Sequence, residues 1–413
     1  MVNNKMHTPV GSNDILQKEK KAKTQIEQIC MQYFAAHGYA DVQTPMFEYL
    51  DVFKGEYGCS GEENMLKFFD AKGRILALRP DITPPIARVA ATKLNGEPLP
   101  LKLSYVGPAF RGGEAYGGEK QKEFTQAGVE LMGVNSPEAD AEVIALTVQC
   151  LVAAGLEEFQ IDLGQMGFFK SLVEEAGLSG EEIDQLVDII DHKDFINIEA
   201  FTQAHSMPEK LREVLVQLPT LFGGMDVISE LQKRELPQKA RRALDNIVEI
   251  YEILQDYGVA DYISIDLGMV KNFTYYTGVV FKGFTHHVGF PICGGGRYDN
   301  LVAQFGRDIP GAGVAIWVDR VLAALQRGGH QLVSPAPDTV MSYAPGGRAL
   351  ALQVADEFRR QGMKVDLFLG DGDVAEYARA KGAGGIAYVR DAKHIDVTDL
   401  QTGQTNTLDM DTI

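Results

Sequence analysis

The stretch FRGGEAYGGEKQKEFTQAGVELMG, residues 110–133, decides the fold. Two β-rich arms, Leu101 to Phe110 and Phe124 to Met132, flank a glycine-rich loop from Gly112 to Gln121. β-Rich arms on either side of glycines are typical of two paired strands joined by a turn. The sequence therefore predicts a hairpin that starts from a buried arginine, Arg111, and returns along the second arm.

Two polar side chains lie on the returning arm of this hairpin. Gln126 and Glu130 are four residues apart, and side chains in a strand alternate between faces, so both point to the same face. Apolar residues flank the pair at Val129, Leu131 and Met132. Such a pair forms either a solvated edge or the floor of a polar pocket, and both interpretations stay open at this point.

A second polar group precedes the hairpin, in the run Arg79-Pro80-Asp81-Ile82-Thr83. It joins a predicted strand, residues 76–80, to a predicted helix, Thr83 to Lys93. A carboxylate and a hydroxyl two residues apart suit an ammonium group, which needs several acceptors around its charge. The alternative is that Asp81 or Thr83 caps the helix.

Three further motifs follow the hairpin. Tyr275-Tyr276 stand at a turn before a predicted strand, Val279 to Phe284, where aromatic residues serve either a core or a ligand. The run from Gly294 to Asp299 allows close approach to a backbone, but its spacing matches neither a dinucleotide fingerprint nor a P-loop. His286-His287 fall in a predicted exposed turn, and we expect no metal there.

The chain has 413 residues, which indicates two or three domains. A linker containing Gly, Pro and Ser, residues 328–337, separates a predicted domain 1–330 from a small α/β domain at 338–413. Residues 178–258 are helix-rich and carry 16 acidic against 8 basic residues, a net charge of -8. This texture predicts a helical insertion in the first domain.

The composition of the chain indicates where the protein is located and which partners are unfavourable. The net charge of -18 argues against a large nucleic-acid footprint, which depends on basic residues that neutralise phosphates. The four cysteines form no Cys-X-X-Cys pair, so we expect reduced, structural thiols. No run approaches a membrane span and no apolar signal core opens the chain, and cytoplasm is the expected location.

Taken in order, these segments resemble the histidyl-tRNA synthetase family over nearly all of residues 8–330. The matching pieces are Gly38 to Pro45, Arg79 to Thr83, the hairpin, Tyr275 to Phe281, Gly294 to Asp299 and Gly313 to Arg320. The resemblance implies an α+β class II aminoacyl-tRNA synthetase-like fold. Its core would be an antiparallel sheet of six or seven strands flanked by helices, in a homodimer, with a C-terminal domain like a reduced anticodon-binding domain.

The resemblance also implies an amino-acid pocket. In the synthetases, residues matching Asp81, Thr83, Gln126 and Glu130 hold the ammonium and imidazole groups of histidine. The residue matching Arg111 contacts the carboxylate region, and those matching Tyr275 and Tyr276 border the imidazole. All these residue types are retained, except that Asp81 is shorter than the usual glutamate.

The ATP half of the pocket departs from the synthetase pattern. Lys271 replaces an arginine that assists adenylate formation, and lysine lacks the planar fork of that side chain. The loop from Gly112 to Gln121 contains no arginine. Trp317 occupies the position of a synthetase glycine, where an indole and adenine would compete for the same space. Arg320 matches an arginine that the synthetases carry in the last of their three class-defining sequence motifs, motif 3, and this residue is retained.

This pattern resembles a second family, the regulatory subunits of ATP phosphoribosyltransferase, which acts first in histidine biosynthesis. The resemblance implies a non-catalytic protein with no cofactor and no tRNA partner. Such proteins assemble with a short catalytic subunit, commonly as a hetero-octamer, and confer feedback inhibition by histidine. The alternative is an active histidyl-tRNA synthetase.

Overall fold

The computed structural model describes residues 4–54, 61–112, 121–332 and 336–410. The chain divides into two compact units. The first comprises Met1–Asp14 and Ala22–Gln331, and the second comprises Ile15–Lys21 and Leu332–Ile413. Among the described residues, no helix combines the length and the apolar character that crossing a bilayer requires.

A nine-stranded sheet organises the first unit, in the order β1-β5-β6-β12-β11-β10-β7-β9-β8. Its strands are β1 (Ala40–Asp41), β5 (Leu101–Phe110), β6 (Glu123–Met132), β7 (Gln160–Gln165), β8 (Phe222–Gly223), β9 (Ile263–Asp266), β10 (Val279–Phe284), β11 (Cys293–Arg297) and β12 (Gly311–Trp317). A separate three-stranded sheet, in the order β2-β4-β3, contains β2 (Phe47–Tyr49), β3 (Lys67–Phe69) and β4 (Ile75–Leu78).

The α+β class is confirmed, but the expected strand count is wrong. The sheet has nine strands rather than six or seven, and the pairs β1/β5 and β7/β9 are parallel. The additional strands include β1 and β8, of two residues each, which are too short to produce a periodic pattern. The central pairs, from β5/β6 through β12, β11 and β10 to β7, are antiparallel.

The predicted hairpin is confirmed as the longest strand pair of the sheet. Leu101 pairs with Met132 at its base and Phe110 with Glu123 at the end nearest the loop. All of β6 beyond its first residue is buried, because the strand lies between β5 and β12 and packs against three of the flanking helices, and only Gln126 of this strand lines a cavity. Arg111 follows directly after β5 and is half-buried, less enclosed than the sequence predicted.

Helices flank this sheet and fill the segment between β7 and β9. They are α1 (Gln17–Ala36), α2 (Thr83–Thr92), α3 (Pro137–Ala153), α4 (Met166–Ala176), α5 (Gly180–Asp191), α6 (Phe195–Ala204), α7 (Glu209–Gln217), α8 (Asp226–Gln232), α9 (Gln238–Asp256) and α10 (Val318–Arg327). Helix α9 buries Leu244, Ile247 and Ile250 on one face and packs against α3 and α4. The acidic segment is thereby attached to the sheet unit through an apolar helix face.

The second unit has its own five-stranded sheet, in the order β14-β13-β15-β16-β17. Its elements are β13 (Thr339–Tyr343), α11 (Arg348–Arg360), β14 (Val365–Leu367), α12 (Val374–Lys381), β15 (Gly385–Val389), β16 (His394–Asp399) and β17 (Thr405–Asp409). The first three strands are parallel to one another, and the β16/β17 hairpin adds two antiparallel strands that the sequence analysis did not predict.

Two buried arginines fix the elements around the hairpin. Arg79, only 4% exposed, donates to the carbonyl oxygen of Pro108 at 2.7 Å and to that of Thr44 at 3.0 Å. Arg297 lies 2.7 Å from the Asp140 carboxylate and 3.1 Å from Asp299. These contacts tie β4 to β5 and β11 to α3, and each arginine is held by acceptors that compensate for its burial.

Candidate functional site

A cavity of about 210 Å³ opens on one face of the large sheet, within the first unit. Its floor is formed by β6, β12, β11 and β10. One wall is the turn between β4 and α2, and the other is the segment before β10, residues 269–276. Six of the seven predicted ligand residues line this cavity: Asp81, Thr83, Arg111, Gln126, Tyr275 and Tyr276.

The floor of the cavity lacks bulky side chains at four positions. Gly313 and Ala315 on β12 and Gly294 and Gly295 on β11 line it. A Cβ added at Gly313 would overlap the Glu130 carboxylate, and one at Gly294 would lie 3.2 Å from the Trp317 ring. The glycine run was predicted to permit close approach to the backbone. The structure places it in a strand, where the neighbouring side chains fill the space that the glycines leave.

Asp81 lies just before α2, but neither it nor Thr83 is the N-cap residue of that helix, a position that Ile82 holds without a side-chain cap. One of the Asp81 oxygens accepts from the backbone N–H of Ile82 at 2.7 Å and, more weakly, from that of Thr83 at 3.4 Å. The same side chain lines the cavity. Asp81 therefore turns the chain into α2 and also presents a carboxylate to the cavity.

Glu130 is the seventh predicted residue, and it lies beneath the cavity floor and does not line the cavity. It is 1% exposed and is not among the lining residues. Its oxygens accept from the hydroxyls of Thr83 at 2.7 Å and Tyr105 at 3.3 Å, and from that of Tyr298. Burial raises the pKa of Glu130 to about 8, although the hydroxyl donors oppose this shift.

Sequence reasoning missed the two tyrosines that hold Glu130. Tyr105 lies on β5 and is 1% exposed, and Tyr298 follows β11 and is 2% exposed. Both come into place through strand pairing, which residue spacing does not reveal. Tyr298 falls in the Gly-Gly-Arg-Tyr-Asp run. Its place beside Glu130 could have been predicted only from a strand register that puts both side chains on the same face of the sheet.

The paired tyrosines close the wall opposite Asp81. The Tyr275 and Tyr276 rings meet edge to face with centroids 4.8 Å apart, and Tyr275 lies 5.7 Å from the Tyr298 ring. The Lys170 ammonium donates to the Tyr276 carbonyl oxygen at 2.8 Å. Tyr275 packs on the core and also lines the cavity, so the core alternative is confirmed and contact with a ligand stays a prediction.

Three cationic side chains, Arg111, Lys271 and Lys282, also line the cavity. The Arg111 guanidinium stacks 4.5 Å from the centre of the Phe124 ring, and the Lys271 ammonium pairs with Asp191 at 2.8 Å. Lys282 was not predicted. It is half-buried on β10, and this burial lowers its pKa. With Asp81, these cations give the cavity both signs of charge, as a zwitterionic ligand requires.

Two aromatic side chains, Trp317 and Phe290, enclose Arg320 near the end of β12, where Trp317 pairs with Gln126. The Arg320 guanidinium lies 4.5 Å from the Trp317 ring centre and 4.9 Å from that of Phe290. It also donates to the Pro291 carbonyl oxygen at 2.6 Å, and the residue is 8% exposed. Arg320 is thus stacked and hydrogen-bonded within the protein, in a position where the indole covers it.

Two further predictions concern the arginine-free loop and the exposed histidine pair. Residues 113–120 of the arginine-free loop lie outside the described residues. His286 is exposed as predicted, with its Nε2 3.0 Å from a Glu158 oxygen. With His287, these side chains form a group whose ligand atoms are within 4.8 Å of one another.

Comparison with known proteins extends over both units. A family model described as histidyl-tRNA synthetase matches residues 11–321. An ATP phosphoribosyltransferase regulatory subunit of Acetivibrio thermocellus is 47% identical over 405 residues, which cover 97% of this chain and 97% of that protein.

Solved structures agree with the sequence matches. A crystal structure of an ATP phosphoribosyltransferase regulatory subunit/histidyl-tRNA synthetase from Bacillus halodurans has a TM-score of 0.83 at 31% identity, covering 93% of this chain and 98% of that one. A histidyl-tRNA synthetase from a Nostoc species has a TM-score of 0.80 at 20% identity, covering 98% of this chain and 97% of that one, and shows the fold alone.

The sheet, the cavity and these matches define a class II, histidyl-tRNA synthetase-like protein. The predicted fold family is therefore confirmed. Within that class, the chain belongs to the family of ATP phosphoribosyltransferase regulatory subunits.

Proposed function

We propose that this chain is the non-catalytic regulatory subunit of ATP phosphoribosyltransferase and that it senses histidine in the cavity on the large sheet. The observation that carries the proposal is the division of this site. Asp81, Thr83 and the two tyrosines surround a space suited to a small amino acid. The end where a synthetase handles ATP holds an indole and a stacked arginine instead.

The chemistry of the cavity fits histidine. The Asp81 carboxylate is an acceptor for an ammonium group, and the edges of Tyr275 and Tyr276 border a flat ring. Arg111 and the two lysines are donors for a carboxylate. Glu130 acts from beneath, because it orients the Thr83 hydroxyl through a 2.7 Å hydrogen bond.

Assembly with a short catalytic subunit is the second part of the proposal, and the names of the relatives support it. We propose a hetero-octamer built on homodimers of this chain, in the cytoplasm, without tRNA. Histidine bound in the cavity would favour one arrangement of that assembly. A coupling free energy of about 1–3 kcal/mol between the histidine cavity and the active site of the catalytic subunit suffices for useful inhibition.

The decisive experiment combines the purified chain with a short catalytic subunit from the same organism. We expect phosphoribosyl transfer to ATP to increase when the chain is added and to decrease again when histidine is added. Histidine-dependent exchange of pyrophosphate into ATP is expected to be absent. Such exchange, or charging of tRNA, would overturn the proposal in favour of an active synthetase.

A variant locates the histidine site. Asp81→Asn keeps a side-chain oxygen that can accept from the Ile82 N–H but removes the charge facing the cavity. We expect histidine to bind about tenfold or more weakly by calorimetry, since hydrogen bonds to charged groups contribute about 1.5–3 kcal/mol. Activation of the catalytic subunit is expected to persist.

Asp373→Asn is the matched control for this substitution. Asp373 is the N-cap residue of α12 in the second unit and accepts from the Ala375 N–H at 2.6 Å, so its carboxylate, like that of Asp81, accepts from a backbone N–H at the start of a helix. This variant is expected to bind histidine like the parent chain. Equal affinities for Asp81→Asn and Asp373→Asn would place the regulatory histidine outside the cavity.

A further inference from the structure

Two buried polar atoms in the cavity floor have no hydrogen-bond partner among the described residues. They are the Gln126 side-chain oxygen and the Trp317 indole nitrogen. Buried polar groups in folded proteins are normally hydrogen-bonded, so an unpaired donor and acceptor at one site require an explanation. Gln126 itself is only 3% exposed.

The two atoms belong to neighbouring positions on the sheet. Trp317 is the register partner of Gln126 across β12 and β6, and both residues line the cavity. One offers an N–H donor and the other a carbonyl acceptor. A ligand that carries an acceptor and a donor on adjacent atoms would satisfy both.

The α-carbon substituents of an amino acid have this arrangement, because the carboxylate accepts and the ammonium donates. We propose that Trp317 is a specificity-determining residue whose indole N–H binds the carboxylate of the amino-acid ligand, while the Gln126 oxygen accepts from its ammonium. This inference rests on the proposed histidine site and adds to the cationic side chains a neutral, directional donor for the carboxylate.

The indole is held in place for this contact. Its ring stacks with Arg320 at 4.5 Å and lies over Gly294, where an added Cβ would be 3.2 Å from the ring. The same position therefore has two consequences. It fills the end of the cavity against a nucleotide, and it directs an N–H donor towards a smaller, anionic group.

The test compares L-histidine with histamine, which lacks only the carboxylate. Trp317→Phe keeps an aromatic ring but removes the N–H. Calorimetry is expected to show about tenfold weaker binding of histidine to this variant and less than about twofold change for histamine. Gln126→Met should weaken both ligands, because both carry the ammonium.

A measurement on the unaltered chain protects the test against a misfolded variant. Trp317 is the only tryptophan of the sequence, so its fluorescence reports on this one side chain. Histidine is expected to change the emission, and histamine at saturation is expected to change it less.

The possible outcomes distinguish failure of this inference about Trp317 from failure of the proposed histidine site. Failure of histidine to bind the parent chain would overturn the proposed histidine site itself. If histidine binds the parent chain, equal losses for both ligands in Trp317→Phe would show that the indole only packs. An unchanged histidine affinity in that variant, or unaltered fluorescence on binding, would also exclude Trp317 as a contact and leave the histidine site standing.

Discussion

At the scale of single residues, the carboxyl group of Glu130 combines burial with three hydroxyl neighbours. Its pKa of about 8 in the folded chain compares with an ordinary value of 4.5. Between these values the folded protein retains a proton that the unfolded chain has released. Because the folded state binds more protons there, stability decreases as the pH rises through that interval and changes little above it.

Glu130→Gln should remove this pH dependence, because an amide of the same shape does not ionise. We expect the variant to gain stability over the parent chain as the pH rises from 4.5 to about 8. The gain should be on the order of a few kcal/mol at most, since one pKa unit corresponds to about 1.4 kcal/mol. Denaturant unfolding at several pH values measures it.

Glu123→Gln supplies the control for this prediction. Glu123 opens the same strand, β6, but is exposed. Its substitution is expected to shift stability by a similar small amount at every pH. If Glu130→Gln and the parent chain show the same pH profile, the buried carboxyl is not the group that titrates.

At the scale of elements, the central strands approach one another through glycine. A Cβ at Gly128 on β6 would overlap both the Val314 carbonyl oxygen and the Tyr105 hydroxyl. Small residues therefore allow Tyr105 to cross the sheet surface and reach Glu130. The geometry of the hairpin and the hydrogen bonds of the site depend on the same missing side chain.

Gly128→Ala is expected to destabilise the fold by several kcal/mol, since overpacking in a well-packed core costs about 1–3 kcal/mol or more and here backbone must also move. Thermal or denaturant unfolding measures the loss. Gly96→Ala, where an added Cβ meets nothing within 4 Å, should change stability by less than about 0.5 kcal/mol. Similar effects for both variants would contradict the close approach at Gly128.

The elements also show how far the sequence could be interpreted. Strand β10 matches its predicted range, and helix α2 begins at the predicted residue, Thr83, because both have clear local patterns. Strand β11 was missed because three of its five residues are glycine, which usually weakens a strand. Its neighbours, including Tyr298 and Trp317, supply the side chains that β11 lacks, and that compensation is a tertiary effect.

The candidate site divides in the same way. Asp81, Thr83 and Gln126 could be selected because their types and spacing are local properties, and the structure brings them to one cavity. The position of Glu130 below the cavity floor could not be predicted from the sequence. It depends on the register of β5, β6 and β12, which places Tyr105 and Gly313 beside it.

At the scale of the whole molecule, the small sheet presents an apolar surface. The exposed apolar residues of this sheet are Phe47, Tyr49, Phe68, Phe69 and Ile75, with Phe69 72% exposed, and exposed Met46 directly precedes the sheet. Exposed apolar surface of this kind often marks an interaction site. We propose that this surface is the interface of a homodimer and that a second copy of the chain covers it.

Phe69→Ser is expected to weaken that homodimer by about tenfold or more, because a buried aromatic side chain often dominates an interface. Sedimentation of the chain without its catalytic partner measures the dissociation constant. Leu369→Ser, at a similarly exposed residue of the second unit, is the control and should leave the dimer intact. Equal effects would place the interface elsewhere.

The aromatic enclosure of Arg320 has a consequence for how such a protein can change over generations. Trp317→Gly alone would empty the space but leave Arg320 bound to the Pro291 carbonyl and stacked on Phe290. Arginines in the loop from Gly112 to Gln121 would have to be acquired separately. Loss of the indole therefore removes its stacking on Arg320 without supplying those arginines. A single substitution at Trp317 does not by itself rebuild a nucleotide site.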